Sequence, residues 1–455
     1  MQRRIPGVRL AALAGVGALV LTGCLQSGSD ESSSGSSSSS GGTEGAGGTD
    51  PGDGEVEILG AFVDTEADAF AEALAPFEEE SGIDVKYQGD NTFTTLVRQN
   101  VTSGNPPDIG LFPQPGLLLD LASEDSVVPI EEFLEVGGLE DSLIPGLLDA
   151  STDDDGTMYG APMRVAVKSL IWVPKKAWED GGYAEPKTYQ ELVGELSEQI
   201  KGDGIAPWCI GYESGTATGW VGTDWVEEMV LRTGGPEDYD KWTSHEVPFD
   251  DAIVQDGFEA YDEIVSGEGL VFGGRDGIIN TAVDAVDDPQ FEGSKPGCMM
   301  QRQGNFVIDF YSEDVQKNLD DEVKVIAMPP YEGGFDGDPV LGGGDIAALF
   351  NGEDDEAKEV MEFLTSDEFG AEWAKAGGWL SPHTTFDESN YPDQTTKDIA
   401  KIVSGADVFR YDGSDLMPAE VGAGSFWEGM VEWTRGEADT ATVTADIEDS
   451  WPSSE

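Results

Sequence analysis

Residues 56–112 decide the fold class, and they read VEILGAFVDTEADAFAEALAPFEEESGIDVKYQGDNTFTTLVRQNVTSGNPPDIGLF. Two stretches carry apolar residues at helical spacing, and three shorter ones are apolar or alternating runs typical of strands. The predicted order is a strand at 56–62, a helix at 66–80, a strand at 83–87, a helix at 94–103 and a strand at 108–112. Such alternation indicates βαβ units and a parallel sheet. Ligands bind beyond the carboxyl ends of such strands, where Asp64 and Gln114 lie.

The same alternation continues downstream, so the fold class that we predict is α/β. The chain has 455 residues, enough for two or three domains. The further predicted strands are 166–173, 205–210 and 324–328. The further predicted helices are 175–182, 188–201, 225–233 and 357–364, with that at 225–233 amphipathic.

Composition and charge exclude several classes of function. Lys and Arg number 24 and Asp and Glu 91, so the formal net charge is −67. A surface this negative repels phosphate backbones, which excludes nucleic acid as a partner. Two histidines cannot build a His-rich metal site, and three cysteines exclude a zinc site made of two cysteine pairs. We expect neither a cofactor nor a metal.

The first 54 residues predict export and a lipid anchor. Two arginines, an apolar run at 10–22 and small residues follow one another in the order of a secretory signal. Residues 21–24, LTGC, resemble the lipobox of bacterial lipoproteins. We therefore expect a signal peptide at 1–23, a lipidated Cys24 and a Gly/Ser-rich acidic tether at 24–54, on the extracytoplasmic face of the cell membrane. The alternative is an uncleaved anchor with an incidental cysteine.

Two cysteines, Cys209 and Cys298, remain for the folded part. Two thiols in an exported domain usually pair, because the compartment is oxidising. The pattern favours a disulfide, and two separate buried thiols are the alternative.

The tryptophans carry the signal for a ligand. All 11 lie after residue 171, and Trp220, Trp379 and Trp427 are flanked by glycines and other small residues. Such rings can offer a face to the apolar side of a sugar, whose hydroxyls need carboxylates, amides and guanidinium groups. For each of the three, a place in the core is the alternative. We assign Trp172, Trp178 and Trp373 to the core, because they fall in regular strand or helix patterns.

Catalysis receives no positive support from the sequence. It lacks a Gly-x-Ser-x-Gly nucleophile elbow, and with 91 acids some pair would fit glycosidase spacing by chance. The protein is therefore predicted to be no enzyme. Two alternatives stay open, namely a lipoprotein enzyme that acts on glycans and a binding protein for a non-sugar such as a polyamine or peptide.

Several motifs together resemble the extracellular solute-binding proteins of carbohydrate ABC importers. The resemblance runs from about Val56 to Trp451, is closest to the α-glucoside branch and extends more distantly to the maltose-binding protein. The motifs are SGNPPDI at 103–109, YGAP at 159–162, KSLIW at 168–172, PWCIG at 207–211, GWVGTDW at 219–225, GCMM at 297–300, QGNF at 303–306, GGGD at 342–345 and GWLSPH at 378–383. Their order and spacing make the match specific.

The resemblance implies a two-lobed, type II periplasmic-binding-protein-like fold, with a hinge and a sugar-binding cleft between the lobes. Lobe 1 would be residues 55–164 and 326–378, and lobe 2 residues 165–325 and 379–455. Carried over by position, the stacking residues would be Trp220, Phe306, Trp379 and Trp427. The hydrogen-bonding residues would be Asp64, Gln114, Arg164 and Asp345. It also suggests the Cys209–Cys298 pair, and it implies a carbohydrate ligand, permease subunits as partners and a monomer.

Overall fold

The computed structural model describes residues 54–452 except 91 and 154, and it leaves out the side chains of Asp64 and Thr65. The predicted signal peptide, Cys24 and almost all of the tether lie outside these residues. Among the described residues, no helix has the length and apolar character needed to cross a membrane.

The first sheet contains the strands that residues 56–112 predict. Its strands are β1 (Glu55–Gly60), β2 (Asp84–Gly89), β3 (Ile109–Phe112), β4 (Ala161–Val167), β9 (Pro339–Leu349) and β10 (Val408–Tyr411). The order is β10-β9-β3-β1-β2, with β4 also paired to β9. As predicted, β1 runs parallel to both β2 and β3. The long strand β9 runs antiparallel to β3 and β4, whereas β10 runs parallel to it.

The second sheet has the order β6-β7-β5-β8. Its strands are β5 (Leu170–Pro174), β6 (Ala206–Trp208), β7 (Cys298–Arg302) and β8 (Val323–Ala327). The single strand predicted at 166–173 is therefore wrong. Its apolar run is divided at Lys168 and Ser169, where the chain leaves β4 in the first sheet and enters β5 in the second.

Helices cover the faces of both sheets. The helices up to residue 202 are α1 (Asp64–Ser81), α2 (Phe93–Ser103), α3 (Pro115–Ser123), α4 (Val136–Ser142), α5 (Lys175–Gly181), α6 (Tyr189–Glu191) and α7 (Ser197–Gly202). Those of the middle are α8 (Trp220–Gly234), α9 (Pro236–Thr243), α10 (Ala252–Val265), α11 (Gly274–Asn280), α12 (Asp288–Phe291), α13 (Glu313–Gln316) and α14 (Leu319–Glu322). The remainder are α15 (Asp355–Leu364), α16 (Ala371–Ala376), α17 (Gln394–Ser404), α18 (Gly413–Leu416), α19 (Trp427–Arg435) and α20 (Thr440–Asp449).

Local sequence explains where several helices begin and end. The carboxylates of Asp354, Asp393 and Asp439 accept hydrogen bonds from the first turns of α15, α17 and α20. Gly82 ends α1 in the left-handed conformation, with its backbone N–H donating to Glu78 O. These signals are local, and two of the helices that they delimit, α1 and α15, were predicted from the sequence.

Two large hydrophobic clusters form the core, one mainly around each sheet. As predicted, Trp172, Trp178 and Trp373 are buried. The chain crosses between the lobes at Lys168–Ser169, between β8 and β9, and after β10. These crossings divide the described chain into a first lobe of residues 55–167 and 339–411 and a second lobe of residues 170–327 and 412–452.

The third crossing lies later in the chain than the resemblance implied. Residues 379–411 were assigned to lobe 2, but β10 pairs with β9 of the first sheet. Leu380 and Tyr391 are also buried in the core of that sheet. The pairing of β10 therefore moves the lobe boundary from 378 to about 411.

Candidate ligand-binding cleft

A cleft of about 1400 Å³ lies between the two lobes. The wall from the first lobe is formed by α2, α3 and the end of β3, and includes Thr94, Gln99, Gln114 and Asp120. The wall from the second lobe includes Thr243, Ser244, Ser414, Asp415, Trp427 and Trp451. Hydroxyls, carboxylates and indole rings thus face one space.

Gln114 and Trp427, both predicted from the resemblance, lie on opposite walls of this cleft. Gln114 follows β3 and precedes α3, and Trp427 is the first residue of α19. The Gln114 Oε1 and Trp427 Nε1 atoms are buried and have no hydrogen-bond partner in the described structure. Both residues are half-buried as a whole, so other parts of their side chains line the cleft.

Trp220 lies at the start of α8, close to Trp427. Gly219, which precedes it, has a positive φ of 119°, and a Cβ there would collide with the Trp427 carbonyl group. Only glycine permits this approach of the two segments. The Trp220 ring lies 6.1 Å from that of Phe306, so these two predicted aromatics are neighbours.

Arg164 and Asp345, predicted to contact hydroxyls, bind each other. Arg164 Nε donates to Asp345 Oδ2 at 2.7 Å, and Arg164 Nη1 donates to Glu66 Oε1 at 2.9 Å. The guanidinium carbon lies 4.6 Å from the centre of the Phe62 ring. Burial opposes the charge of Arg164, but Asp345 and Glu66 raise its pKa above the ordinary value. Asp64 begins α1, and its side chain is outside the described part.

Trp379 is a correction to the predicted set of stacking residues. Its side chain is 1% exposed, and its ring packs against Phe369 and Phe386 in the core of the first lobe. The ring fills the space beside Gly370, where a Cβ would collide with the indole. Trp379 therefore offers no free face, and the alternative of a core position is the correct one.

Lys168 joins the lobes through charged hydrogen bonds. Its Nζ donates to Asp224 Oδ1 of α8 at 3.0 Å and to Asp412, the residue that follows β10. It lies 5.4 Å from the centre of the Trp220 ring. Burial opposes the charge, but Asp224 and Asp412 raise the pKa of Lys168 above the ordinary value. The first and third crossings are thus bound to one helix.

Helix α8 is buried around its whole circumference, not amphipathic as predicted. Glu228 accepts hydrogen bonds from Ser169 Oγ at 2.9 Å, Arg232 Nε at 2.6 Å and Arg302 Nη2 at 2.9 Å. These partners neutralise its charge, and the pKa of Glu228 is lowered by both arginines in spite of burial. Buried acids on a helix are tolerated where such partners surround them.

Glu227, the remaining acid of α8, positions part of the cleft wall. Glu227 accepts hydrogen bonds from the backbone N–H groups of Gly413 and Ser414, at 2.8 and 3.2 Å. This holds α18, whose Ser414 and Asp415 line the cleft. The carboxylates of Asp224, Glu227 and Asp412 converge as metal ligands might, but the Lys168 ammonium is bound to two of them.

The sequence interpretation missed several residues of the cleft, notably Asp415, Thr243, Ser244 and Trp451. None of them lies in a motif or beside a predicted strand end. A signal did exist for α18, because Asp412 precedes it and its side chain caps the helix by accepting from Asp415 N.

Cys209 and Cys298 form a disulfide, with their Cα atoms 5.5 Å apart. Cys209 follows β6 and Cys298 begins β7, which are parallel neighbours in the second sheet. Val286 packs against the pair. The predicted pairing is confirmed.

Comparisons with known proteins agree with this architecture. The family model described as bacterial extracellular solute-binding protein matches residues 63–371. The osmoprotective compounds-binding protein GgtB of Synechocystis sp. is 41% identical over 403 residues, covering 88% of this chain and 92% of that protein. The α-glucosides-binding periplasmic protein AglE of Rhizobium meliloti is 36% identical over 404 residues, covering 87% of this chain and 86% of that protein.

A solved structure confirms the two-lobed fold. The sugar-binding protein MalE of Xanthomonas citri aligns with a TM-score of 0.68 at 15% identity, covering 87% of this chain and 95% of that chain. The distant likeness to maltose-binding proteins that the motifs indicated is thus confirmed for the fold. Because the family model matches residues 63–371 and both relatives are similar over most of the chain, the chain belongs to the bacterial extracellular solute-binding protein family.

Proposed function

We propose that this protein captures an α-linked gluco-oligosaccharide in the cleft and delivers it to the membrane permease of an ABC importer. It does so outside the cytoplasm, as a monomer anchored through lipidated Cys24. The relative AglE is named for α-glucosides and is similar over 87% of this chain, which supports the choice of ligand.

The observation that carries the proposal is the make-up of the cleft, where Gln114 of the first lobe and Trp427 of the second line one space. The amide group of Gln114 can form hydrogen bonds with sugar hydroxyls. The surrounding serine and threonine hydroxyls supply further polar contacts, and the indole rings suit the apolar faces of pyranoses. At about 1400 Å³ the cleft exceeds the roughly 300–1,000 Å³ of a typical ligand pocket, which favours an oligosaccharide.

Other predicted residues act at the edge of this site in the proposal. Trp220 and Phe306 are neighbours and extend the aromatic surface. Arg164 and Asp345 form an ion pair, so they would form hydrogen bonds with the sugar as a unit. The exposed fraction of the Arg164 side chain is 20%, which leaves part of it accessible to a hydroxyl.

A second candidate ligand is an osmoprotective compound. The relative GgtB is named for such compounds, and its 41% identity over 92% of its length favours this candidate. A panel of ligands can separate the two candidates.

The test is calorimetric titration of the purified protein with glucose, maltose, maltotriose, trehalose and sucrose, with cellobiose as the β-linked control. We expect maltose or maltotriose to bind with micromolar or better affinity. Saturation at 100 times the dissociation constant should stabilise the fold by about 2.7 kcal/mol. Tight binding of cellobiose alone, or of no saccharide at millimolar concentration, would refute the proposal.

Matched variants assign the binding to the cleft. Gln114→Ala and Trp427→Ala should weaken binding, whereas Phe272→Ala should not, since Phe272 is 45% exposed and lies outside the cleft.

Incubation with aryl glycosides tests the enzyme alternative, and turnover would favour it over a binding role. Cys24→Ser should release the protein from the membrane if the anchor is lipid.

A further inference from the structure

Trp451 is an aromatic residue of the cleft that neither the motifs nor the resemblance assigned to a ligand. It follows α20, near the carboxyl end of the chain, and its half-buried side chain lines the cleft together with Trp427. Two indole rings therefore contribute to the second-lobe wall of one polar space.

One face of the Trp451 ring is covered by a stacked side chain. The His245 ring stacks on it with the centroids 4.0 Å apart and the planes inclined by 8°. His245 Nε2 lies 3.0 and 3.2 Å from the two carboxylate oxygens of Glu448. The Glu448 carboxylate also accepts a hydrogen bond from Phe249 N at 2.7 Å. The group that orients His245 is therefore itself held in position by the backbone.

One further contact and one strained backbone conformation accompany this stacking. Ser450 Oγ lies 2.7 Å from Ser425 Oγ, which ties the end of α20 to the turn that carries Trp427. His245 has a positive φ of 61°, a conformation that costs energy for a residue other than glycine. Residues held in this way cluster at ligand-binding sites, because the surrounding structure must stabilise them.

The opposite wall suits the same ligand chemistry. Helix α2 lines the cleft with polar side chains that are able to accept hydrogen bonds from hydroxyls, namely Thr94, Thr95, Gln99, Thr102 and Ser103. A ring with an apolar face and hydroxyls at its rim could stack on an indole and reach such groups at once. A pyranose has this shape.

We infer that Trp451, backed by His245, is a second stacking platform of the cleft, additional to Trp427, and that it binds a further sugar ring of an oligosaccharide. This inference deepens the proposed function and rests on it. It predicts that affinity increases with chain length, because a monosaccharide covers one platform and a longer ligand covers both.

The experiment compares glucose, maltose and maltotriose on the full-length protein and on Trp451→Ala. We expect the variant to bind maltotriose about 3- to 10-fold more weakly, as the loss of one aromatic contact implies, with glucose affinity within about twofold of the parent value. Trp451→Phe should recover most of the affinity, because it keeps a ring face. Phe272→Ala, which removes an exposed ring outside the cleft, is the control.

His245 is tested as a positioning residue. His245→Asn keeps a residue that tolerates positive φ but removes the ring, so it should weaken maltotriose binding in the same direction. The double variant His245→Asn, Trp451→Ala should bind no more weakly than Trp451→Ala alone, because His245 acts only through Trp451. Additive losses would overturn this role.

The outcomes separate the two proposals. If the parent protein binds maltotriose and Trp451→Ala binds it equally tightly, or weakens all three sugars by the same factor, the platform is refuted and the proposed function stands. If the parent protein binds no saccharide, both fail. Melting temperatures without ligand show whether Trp451→Ala is folded, and Trp451→Phe decides the outcome if it is not.

Discussion

Replacing Lys168 by methionine removes one charge from the point where the first and third crossings meet. Lys168 is 8% exposed, and its ammonium group binds Asp224 and Asp412. Methionine retains much of the apolar stem but cannot donate a hydrogen bond. The two carboxylates then face each other in a buried site without their shared cation.

The expected cost follows from that burial. Removing one partner of a buried charge pair costs about 3–5 kcal/mol, because the remaining charge is uncompensated. Protonation of Asp224 limits the cost at low pH, since burial raises the pKa of this carboxyl to about 7 even beside Lys168. Because its pKa in the folded state lies above the ordinary value, the folded state holds the proton, and the variant loses stability as pH rises toward and beyond 7.

The assay is urea unfolding of Lys168→Met at pH 5.5 and pH 8, with Lys176→Met as the matched control. Lys176 is 80% exposed and pairs with Asp180 at 2.6 Å within one helix, so its removal should leave the free energy of unfolding almost unchanged. Lys168→Met should cost several kcal/mol at pH 8 and less at pH 5.5. If the two variants unfold within about 1 kcal/mol of each other at pH 8, the reasoning about the buried network is refuted.

Two further predictions concern buried side chains away from the cleft. Burial raises the pKa of Asp287 to about 6 from an ordinary 3.8, so this residue should lower wild-type stability between about pH 4 and pH 6, and Asp287→Asn should remove its part of the decline and stabilise the fold at pH 7 by up to about 3 kcal/mol. Equal pH dependence of both proteins in thermal melts would contradict this. Trp379→Ala should cost about 3–5 kcal/mol in urea unfolding and leave the ligand affinity of the folded protein unchanged, because the ring is buried in the core. Weaker binding with undiminished stability would restore a stacking role for Trp379.

Local periodicity was enough to predict the first lobe as far as β3. The helices α1 and α2 and the strands β1–β3 are each encoded by neighbouring residues, through apolar spacing and helix-ending signals such as Gly82. The pairing of Cys209 with Cys298 could also be predicted, because only these two thiols remained for the folded part.

The prediction for Trp379 was wrong because glycines near it in the chain were interpreted as a sign of a flexible loop. The glycines beside Trp379 indicated a loop with an exposed ring, yet Gly370 of the preceding segment makes the space into which that ring packs. Whether a tryptophan faces a ligand or a core depends on which distant segment meets it, and no local pattern contains that information.

The sequence by itself determined the α/β class, the family motifs and the order of the elements from β1 to β3, because these depend on spacing within a few residues. Only the tertiary structure decided which apolar run changes sheets, which acids of α8 are buried and which rings line the cleft. Asp224 and Glu228 look like a solvated helix face until Lys168 and Arg302 are brought to them from other elements. Trp451 likewise has no distinguishing neighbours in sequence, and only the tertiary structure brings its ring to the cleft and to His245, some 200 residues earlier.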